Sequence, residues 1–338
     1  MTTPNAEETR VLRGQLLATL QGTWKAQTMY AIAKLRIPDL LTEGPRTAAQ
    51  LAESTGALEH GLTRLLRTAV QWQMLAEPEP GLFANNPKSE ILRADVPGSL
   101  WSTAIIYGEE MHRCFGEIMH PLMTGKSGFD KFAGQGMYDY LNDNPDKARL
   151  WNESMSRNLV PEVLREADLT GVKTLVDVGG GTGGLLIKAL QWNPGLHGTL
   201  IELPIAVEQA ADLFAEAGLT DRADLVPGSF FDPLPVTGAD AYVLTRVLHN
   251  WDDDNAALIL RRVYDAMPSG GRLLVMEDCL AADPGIVDIV MLVALEGHDR
   301  DEPQYRALME AAGFTVTGSQ GAPSGIAHSE RLIEAVKP

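Results

Sequence analysis

Short apolar runs alternate with helical segments in the second half of the chain. The runs are typical of buried strands and cover residues 174–178, 198–203, 223–226, 241–244 and 272–277. Strands that alternate with helices predict an α/β fold with a parallel, doubly wound sheet, because a parallel strand needs a crossover connection. Residues 315–318 and 331–336 form two further apolar runs with no long helix between them. We therefore expect an antiparallel closing strand at the end of this sheet.

The first half of the chain has a helical rhythm instead. The sequence predicts a short helix capped by Thr47, a second helix over 60–73, and two short strands over 74–77 and 82–84. This order is typical of a winged helix. Few basic residues accompany it, so we expect it to mediate dimerisation rather than DNA binding.

The change of rhythm near residue 170 marks the start of the last of three predicted parts. Residues 1–100 form the winged-helix dimerisation domain, 101–169 a helical linker and substrate-pocket region, and 170–338 the domain that contains the sheet.

The charge balance argues against two classes of partner. The chain has 28 Lys and Arg residues against 45 Asp and Glu residues, a formal net charge of −17. Nucleic acids and anionic membranes attract clustered positive charge, so we expect neither as a partner. No apolar stretch approaches the roughly 20 residues of a spanning helix, and the N-terminus is polar, so we expect a cytoplasmic protein. Cys114 and Cys279 lack metal-ligand spacing and are predicted to be buried.

A glycine-rich turn follows the first strand of the predicted sheet. Gly179, Gly181 and Gly184 satisfy the G-x-G-x-x-G pattern, which alone is a weak sign of a nucleotide cofactor and also fits a turn without a ligand. Asp177 precedes the turn, where a carboxylate can hold an ammonium group but would repel a pyrophosphate. Glu202 ends the next strand, where it can accept hydrogen bonds from ribose hydroxyls. Asp177 therefore favours S-adenosylmethionine over a dinucleotide.

A histidine follows the fourth strand, at the sheet edge where ligands bind in such folds. Methyl transfer to oxygen requires the acceptor to lose its proton, and His249 is suited to accept it near neutral pH. Glu277 and Asp299 are expected on the same rim, where either could orient the imidazole. A lone histidine beside a tryptophan is more often structural, and Asp252 or Asp253 could simply cap a helix. His249 also lacks partners at ligand spacing, so we predict no metal.

These residues resemble small-molecule O-methyltransferases of the plant type and their bacterial relatives in antibiotic, pigment and phenazine biosynthesis. The resemblance covers nearly the whole chain and rests on residues 22–25 (GTWK), 40–48 (LLTEGPRTA), 63–67 (TRLLR), 177–183 (DVGGGTG), 249–253 (HNWDD) and 311–314 (AAGF). It implies a Rossmann-like domain that binds S-adenosylmethionine and releases S-adenosylhomocysteine. It also implies a homodimer formed through the N-terminal domain.

The resemblance also implies roles for individual residues. It assigns the base to His249 and the supporting acids to Glu277 and Asp299. Asp299 replaces the usual Glu, Ser229 stands where relatives usually have Asp, and Thr245 stands where plant members have Lys. The loop over 227–235 has an aromatic face that could pack on adenine. Together the resemblance, the glycine turn and this loop predict the residues that bind the cofactor: Met155, Asp177, Gly179, Gly181, Glu202, Leu203, Gly228, Ser229, Phe230 and Thr245.

The segments 106–112 and 134–141 look especially like bacterial phenazine methyltransferases. The N-methylating branch of that group lacks the histidine that this chain keeps, which favours O-methylation of a small aromatic such as a hydroxyphenazine or an aromatic polyketide. The predicted substrate residues are Tyr107, Met111, His112, Asn250 and Met291. All of them except Asn250 could instead belong to an interdomain core. The alternatives are an N-methyltransferase acting on a heteroaromatic, an NAD-dependent oxidoreductase using the same glycine turn, and a DNA-binding regulator.

Overall fold

The computed structural model describes residues 5–156, 162–279, 286–321 and 330–338, without the side chains of residues 156, 162 and 286. The chain divides into two units, Met1–His112 and Arg113–Pro338. The boundaries predicted at residues 100 and 169 stay predictions.

The first unit is mainly helical. Its helices are α1 (Ala6–Leu20), α2 (Gly22–Lys34), α3 (Ile37–Leu40), α4 (Ala48–Thr55), α5 (Glu59–Gln71), α6 (Pro87–Glu90) and α7 (Trp101–Gly108). Its strands are β1 (Arg46–Thr47), β2 (Ala76–Glu79) and β3 (Leu82–Ala84), which pair in the order β1-β3-β2. Ile32, Leu51, Leu66 and Phe83 lie at the centre of its apolar core.

The short helix predicted after Thr47 is confirmed. The Thr47 hydroxyl accepts a hydrogen bond from Gln50 N, and the Gln50 side chain accepts one from Thr47 N. The strand predicted over 74–77 was placed two residues too early. Met74 N donates to Ala69 O, which keeps this residue in the C-terminal turn of α5, so β2 begins at Ala76. The winged-helix assignment stays a prediction.

The second unit carries the larger sheet. The helices that follow α7 are α8 (Glu110–Gly116), α9 (Met119–Thr124), α10 (Gly128–Ala133), α11 (Met137–Asp143), α12 (Pro145–Ser156), α13 (Gly184–Trp192), α14 (Pro204–Glu216), α15 (Asp253–Ala266), α16 (Ile286–Ala294) and α17 (Glu302–Ala311). Its strands are β4 (Thr174–Val178), β5 (His197–Glu202), β6 (Ala223–Pro227), β7 (Ala241–Thr245), β8 (Arg272–Asp278), β9 (Thr315–Gly321) and β10 (Glu330–Val336). Short 3₁₀ helices cover Glu162–Glu166, Thr220–Arg222 and Leu248–Asn250.

The order of the strands decides where a ligand can bind. The described residues form a seven-stranded sheet in the order β6-β5-β4-β7-β8-β10-β9, and β4 to β8 pair in parallel. Strand β10 runs antiparallel to both β8 and β9, which confirms the predicted closing strand. The chain moves outward from β4 to β6 on one side and continues with β7 on the other. The carboxyl ends of β4 and β7 therefore flank the switch point at which doubly wound sheets bind ligands.

Helices cover both faces of this sheet with apolar side chains. One cluster contains Tyr242, Leu260 and Val275, and the other contains Leu186, Phe214 and Val243. Cys114 and Cys279 are buried free thiols, as predicted. The helices in the described part of the chain are too short or too polar to cross a membrane.

Candidate active site

The turn after β4 is built around a buried carboxyl group. A Cβ atom at Gly180 would lie 2.2 Å from Asp177 Oδ2, so a side chain there would collide with Asp177. The backbone takes left-handed φ angles at three other glycines: Gly179 (74°), Gly181 (60°) and Gly183 (79°). Glycine adopts this conformation at little steric cost, and the turn can therefore wrap closely around the end of β4.

Asp177 and Glu202 end the neighbouring strands β4 and β5. Asp177 is fully buried, and neither of its carboxyl oxygens has a hydrogen-bond partner among the described residues. Glu202 accepts hydrogen bonds from Leu203 N and Gly181 N. Burial raises the pKa of both carboxyl groups to about 7, and the charge of Glu202 adds to the effect on Asp177. The arrangement places the fully buried carboxyl group of Asp177 beside the partly buried one of Glu202.

An aromatic cluster lies beside this pair. The Trp251 ring stacks on Tyr138 at a centroid distance of 5.3 Å and meets the edges of Phe230 and Phe231 at 5.9 and 4.7 Å. Burial, and then the charge of Glu202, raise the pKa of the Tyr138 hydroxyl, so this tyrosine belongs to the same site. We did not predict Tyr138, although it lies in the segment 134–141 that carries part of the family resemblance.

His249 lies in the 3₁₀ turn after β7 and is buried with both predicted acids. Glu277 Oε1 accepts hydrogen bonds from Val247 N (3.0 Å) and Leu248 N (2.7 Å), which anchors the carboxylate under the histidine turn. Its second oxygen lies 3.6 Å from His249 Nδ1, and Asp299 Oδ1 lies 3.4 Å from the same nitrogen. The structure therefore brings all three side chains together with both acids on the Nδ1 side.

The two acids control the protonation of His249. Burial lowers the pKa of the imidazole, but Glu277 and Asp299 outweigh it, and the pKa lies above the usual value of about 6.5. Burial raises the pKa of Glu277, against the opposing effect of His249. The cluster consequently stabilises an imidazolium once the histidine has accepted a proton.

The remaining predicted cofactor residues, apart from Met155, lie at or just after the ends of β5 to β7. Gly228 N donates to Glu202 O, and Ser229 Oγ accepts from Phe231 N. The Thr245 hydroxyl is buried without a hydrogen-bond partner among the described residues. Met155 lies partly exposed in α12. Their cofactor roles stay predictions.

The predicted substrate residues fall in both units. Asn250 Nδ2 donates to Arg246 O, and Met291 is buried in α16. In the first unit Met111 is buried, whereas Tyr107 and His112 are exposed. Their contacts with a substrate stay predictions.

Comparisons with known proteins decide which family this site belongs to. Family models for the O-methyltransferase domain and the O-methyltransferase dimerisation domain match residues 115–315 and 17–95. The chain belongs to the O-methyltransferase family. It is therefore a methyl-transferring enzyme with a Rossmann-like sheet and a helical dimerisation domain, and it uses S-adenosylmethionine. The oxidoreductase and N-methyltransferase alternatives are not favoured.

Similar proteins include enzymes of antibiotic and phenazine biosynthesis. The chain is 38% identical over 309 residues to the mitomycin biosynthesis 6-O-methyltransferase of Streptomyces lavendulae, covering 89% of this chain and 88% of that protein. It is 34% identical over 343 residues to the phenazine O-methyltransferase of Lysobacter antibioticus, covering 99% of each. A solved O-methyltransferase from neocarzinostatin biosynthesis, in complex with S-adenosyl-L-homocysteine and 1,4-dihydroxy-2-naphthoic acid, is 31% identical. It has a TM-score of 0.82 and covers 93% of this chain and 96% of its own.

Proposed function

We propose that this enzyme methylates a hydroxyl group of a small aromatic molecule, with His249 as the general base. The observation that carries the proposal is the pair of clusters at one sheet edge: the unpaired carboxyl group of Asp177 beside Glu202, and the histidine with Glu277 and Asp299. The first cluster fits a cationic nucleoside, and the second fits a proton acceptor.

The donor set agrees with S-adenosylmethionine. Asp177 is a buried carboxyl group with no partner in the described structure, which suits the ammonium group of the methionine part. Glu202 has the acceptor oxygens that ribose hydroxyls need, and Phe230 offers an aromatic face to adenine. When bound, S-adenosylmethionine supplies an electrophilic methyl group on a sulfonium.

The protein's own contribution is to position the acceptor and remove its proton. Glu277 and Asp299 occupy the Nδ1 side of His249, which leaves Nε2 to accept the hydroxyl proton of the substrate. The imidazolium that forms is stabilised by two carboxylates in a buried site, where charge interactions are strong. Alignment of the acceptor oxygen with the transferred methyl group supplies a further part of the rate.

The acceptor is proposed to be a flat aromatic compound, such as a hydroxyphenazine or an aromatic polyketide phenol. Support comes from the aromatic side chains of the site and from the phenazine and naphthoate compounds in the names of the related proteins. The helical domain is proposed to form a homodimer, with no metal, nucleic acid or membrane as a partner. We propose a cytoplasmic location.

Calorimetric titration of the purified protein tests the cofactor assignment. We expect S-adenosylhomocysteine to bind with one site per chain and NADH to show no heat of binding, because Asp177 would repel a pyrophosphate. A hydroxyphenazine and a hydroxynaphthoate are then assayed for methyl transfer with labelled S-adenosylmethionine. Binding of NADH alone would overturn the cofactor assignment and the role given to His249.

The affinity for S-adenosylhomocysteine is expected to rise with pH between about pH 5.5 and 7.5. Asp177 and Glu202 have a raised pKa of about 7, so the ligand-free protein holds protons on them at the acid end of this range. Asp177 must ionise to pair with the ligand ammonium, so binding releases protons there. Titrations in two buffers of different ionisation enthalpy measure this release. A proton count of zero at about pH 6 would contradict it.

A further inference from the structure

Arg300 is the largest side chain in the fully buried part of the described structure, with 1% of its surface exposed. Its guanidinium group donates to Leu248 O (3.0 Å) and Trp251 O (2.9 Å). These carbonyl groups lie on either side of His249 in the chain. Nε and Nη2 also donate to the exposed carboxylate of Asp253, at 2.9 and 2.7 Å, which balances the charge. The arginine therefore spans the backbone turn that carries the proposed base.

The segment that carries Arg300 holds the same turn at two further points. A Cβ atom at Gly297 would lie 2.1 Å from His249 O, so only glycine lets the two backbones pack this closely. Asp299 places its carboxylate 3.4 Å from His249 Nδ1. Arg300 itself forms a parallel bridge with Cys279, two residues after Glu277. The segment 297–300 thus contacts the backbone of His249, its imidazole, and the residue just after β8, the strand that carries Glu277.

We propose that Arg300 is a positioning residue that fixes His249 relative to Glu277, Asp299 and the acceptor. The proposal rests on the proposed function, in which His249 is the base. Without the guanidinium, Leu248 O and Trp251 O would lose their shared donor, and the 3₁₀ turn would be held from the Glu277 side alone, which allows it to shift. A shift of about 1 Å at a reacting group can cost about 10²-fold in rate.

The geometry of the guanidinium explains why arginine is required. Its fork of five N–H donors reaches two carbonyl groups and a carboxylate at once, whereas a lysine ammonium is a single point charge on a flexible stem. Arg300→Lys keeps the positive charge but removes the forked set of donors. Arg300→Met removes both the charge and the donors and keeps an unbranched side chain. A purely electrostatic role predicts an active lysine variant; a positioning role predicts that both variants are impaired.

The test compares kcat, the KM for the acceptor, S-adenosylhomocysteine affinity and the thermal midpoint in both variants. We expect kcat to fall about 10-fold in Arg300→Lys and about 10²-fold in Arg300→Met, with cofactor affinity within about two-fold of wild type. Arg222→Met is the matched control. Arg222 also donates to main-chain carbonyl groups, those of Leu190, Asn193, Pro194 and Leu196. It lies at the amino ends of β5 and β6, so its loss should lower the thermal midpoint without lowering kcat.

A double-substitution cycle separates positioning of His249 from general damage. If Arg300 acts through His249, Arg300→Lys should leave kcat unchanged in a His249→Ala background. An equal loss in both backgrounds would overturn the proposal, as would wild-type kcat in folded Arg300→Lys. If Arg300→Met does not fold, the lysine variant decides alone. Full activity in His249→Ala would instead refute the base assignment, which distinguishes failure of the proposed function from failure of this inference.

Discussion

His249→Ala is expected to lower kcat by about 10²- to 10⁴-fold and to leave the affinity for S-adenosylhomocysteine within about two-fold of wild type. The imidazole is the group proposed to accept the hydroxyl proton, and it faces Glu277 and Asp299 rather than Asp177 or Glu202. Its removal therefore affects the reaction and not the cofactor. Single-turnover assays with labelled S-adenosylmethionine, together with calorimetry, measure the two quantities separately.

The pH profile gives the same prediction a second test. The wild-type kcat should fall on the acid side, because His249 must be unprotonated to act as a base and its pKa is raised. The residual kcat of His249→Ala should not show this fall at acid pH. His197→Ala is the control, since His197 is half exposed and pairs with Asp224 on the outer strands. Turnover of His249→Ala within three-fold of wild type, with His197→Ala equally active, would refute the assignment.

The central strands could be predicted from the sequence because both faces of a covered parallel sheet are buried. Residues 174–178 are mainly apolar and were predicted as a strand, and β4 has these limits. The outer strand β9 extends to Gly321, three residues beyond the predicted end, because pairing with β10 continues through Ser319, Gln320 and Gly321. Polar residues on an outer strand carry no apolar pattern, so pairing of this kind cannot be recognised in the sequence.

Some residues of the site could be predicted from the strand order, whereas others are brought in only by side-chain packing. Asp177, Glu202 and Glu277 lie at the carboxyl ends of strands and His249 follows such an end; a parallel sheet necessarily brings these ends to one edge. Tyr138 joins the site through ring stacking on Trp251, which depends on the path of a helix far away in the sequence. We predicted no role for Arg300, because it holds the histidine turn through carbonyl groups, which every residue possesses.

Asp177→Asn is expected to weaken S-adenosylhomocysteine binding by about 10²-fold, since truncating the charge of a buried ion pair costs roughly 2–5 kcal/mol. Asn keeps the shape of the side chain and removes the carboxylate proposed to hold the ligand ammonium. Asp224→Asn is the control, because the Asp224 side chain is exposed on β6, and it should leave the affinity for S-adenosylhomocysteine unchanged. Calorimetry at about pH 7.5 compares the three proteins.

The same substitution should stabilise the ligand-free protein. In the fold Asp177 has a pKa of about 7, and in the unfolded chain a normal pKa of about 3.9, so its ionisation opposes folding increasingly as the pH rises between these values. The thermal midpoint of Asp177→Asn should therefore exceed that of wild type, by more at about pH 8 than at about pH 5. Weaker binding together with a higher thermal midpoint would show that the Asp177 carboxylate binds the cofactor and destabilises the ligand-free fold. Unchanged binding would show that the ammonium is held elsewhere.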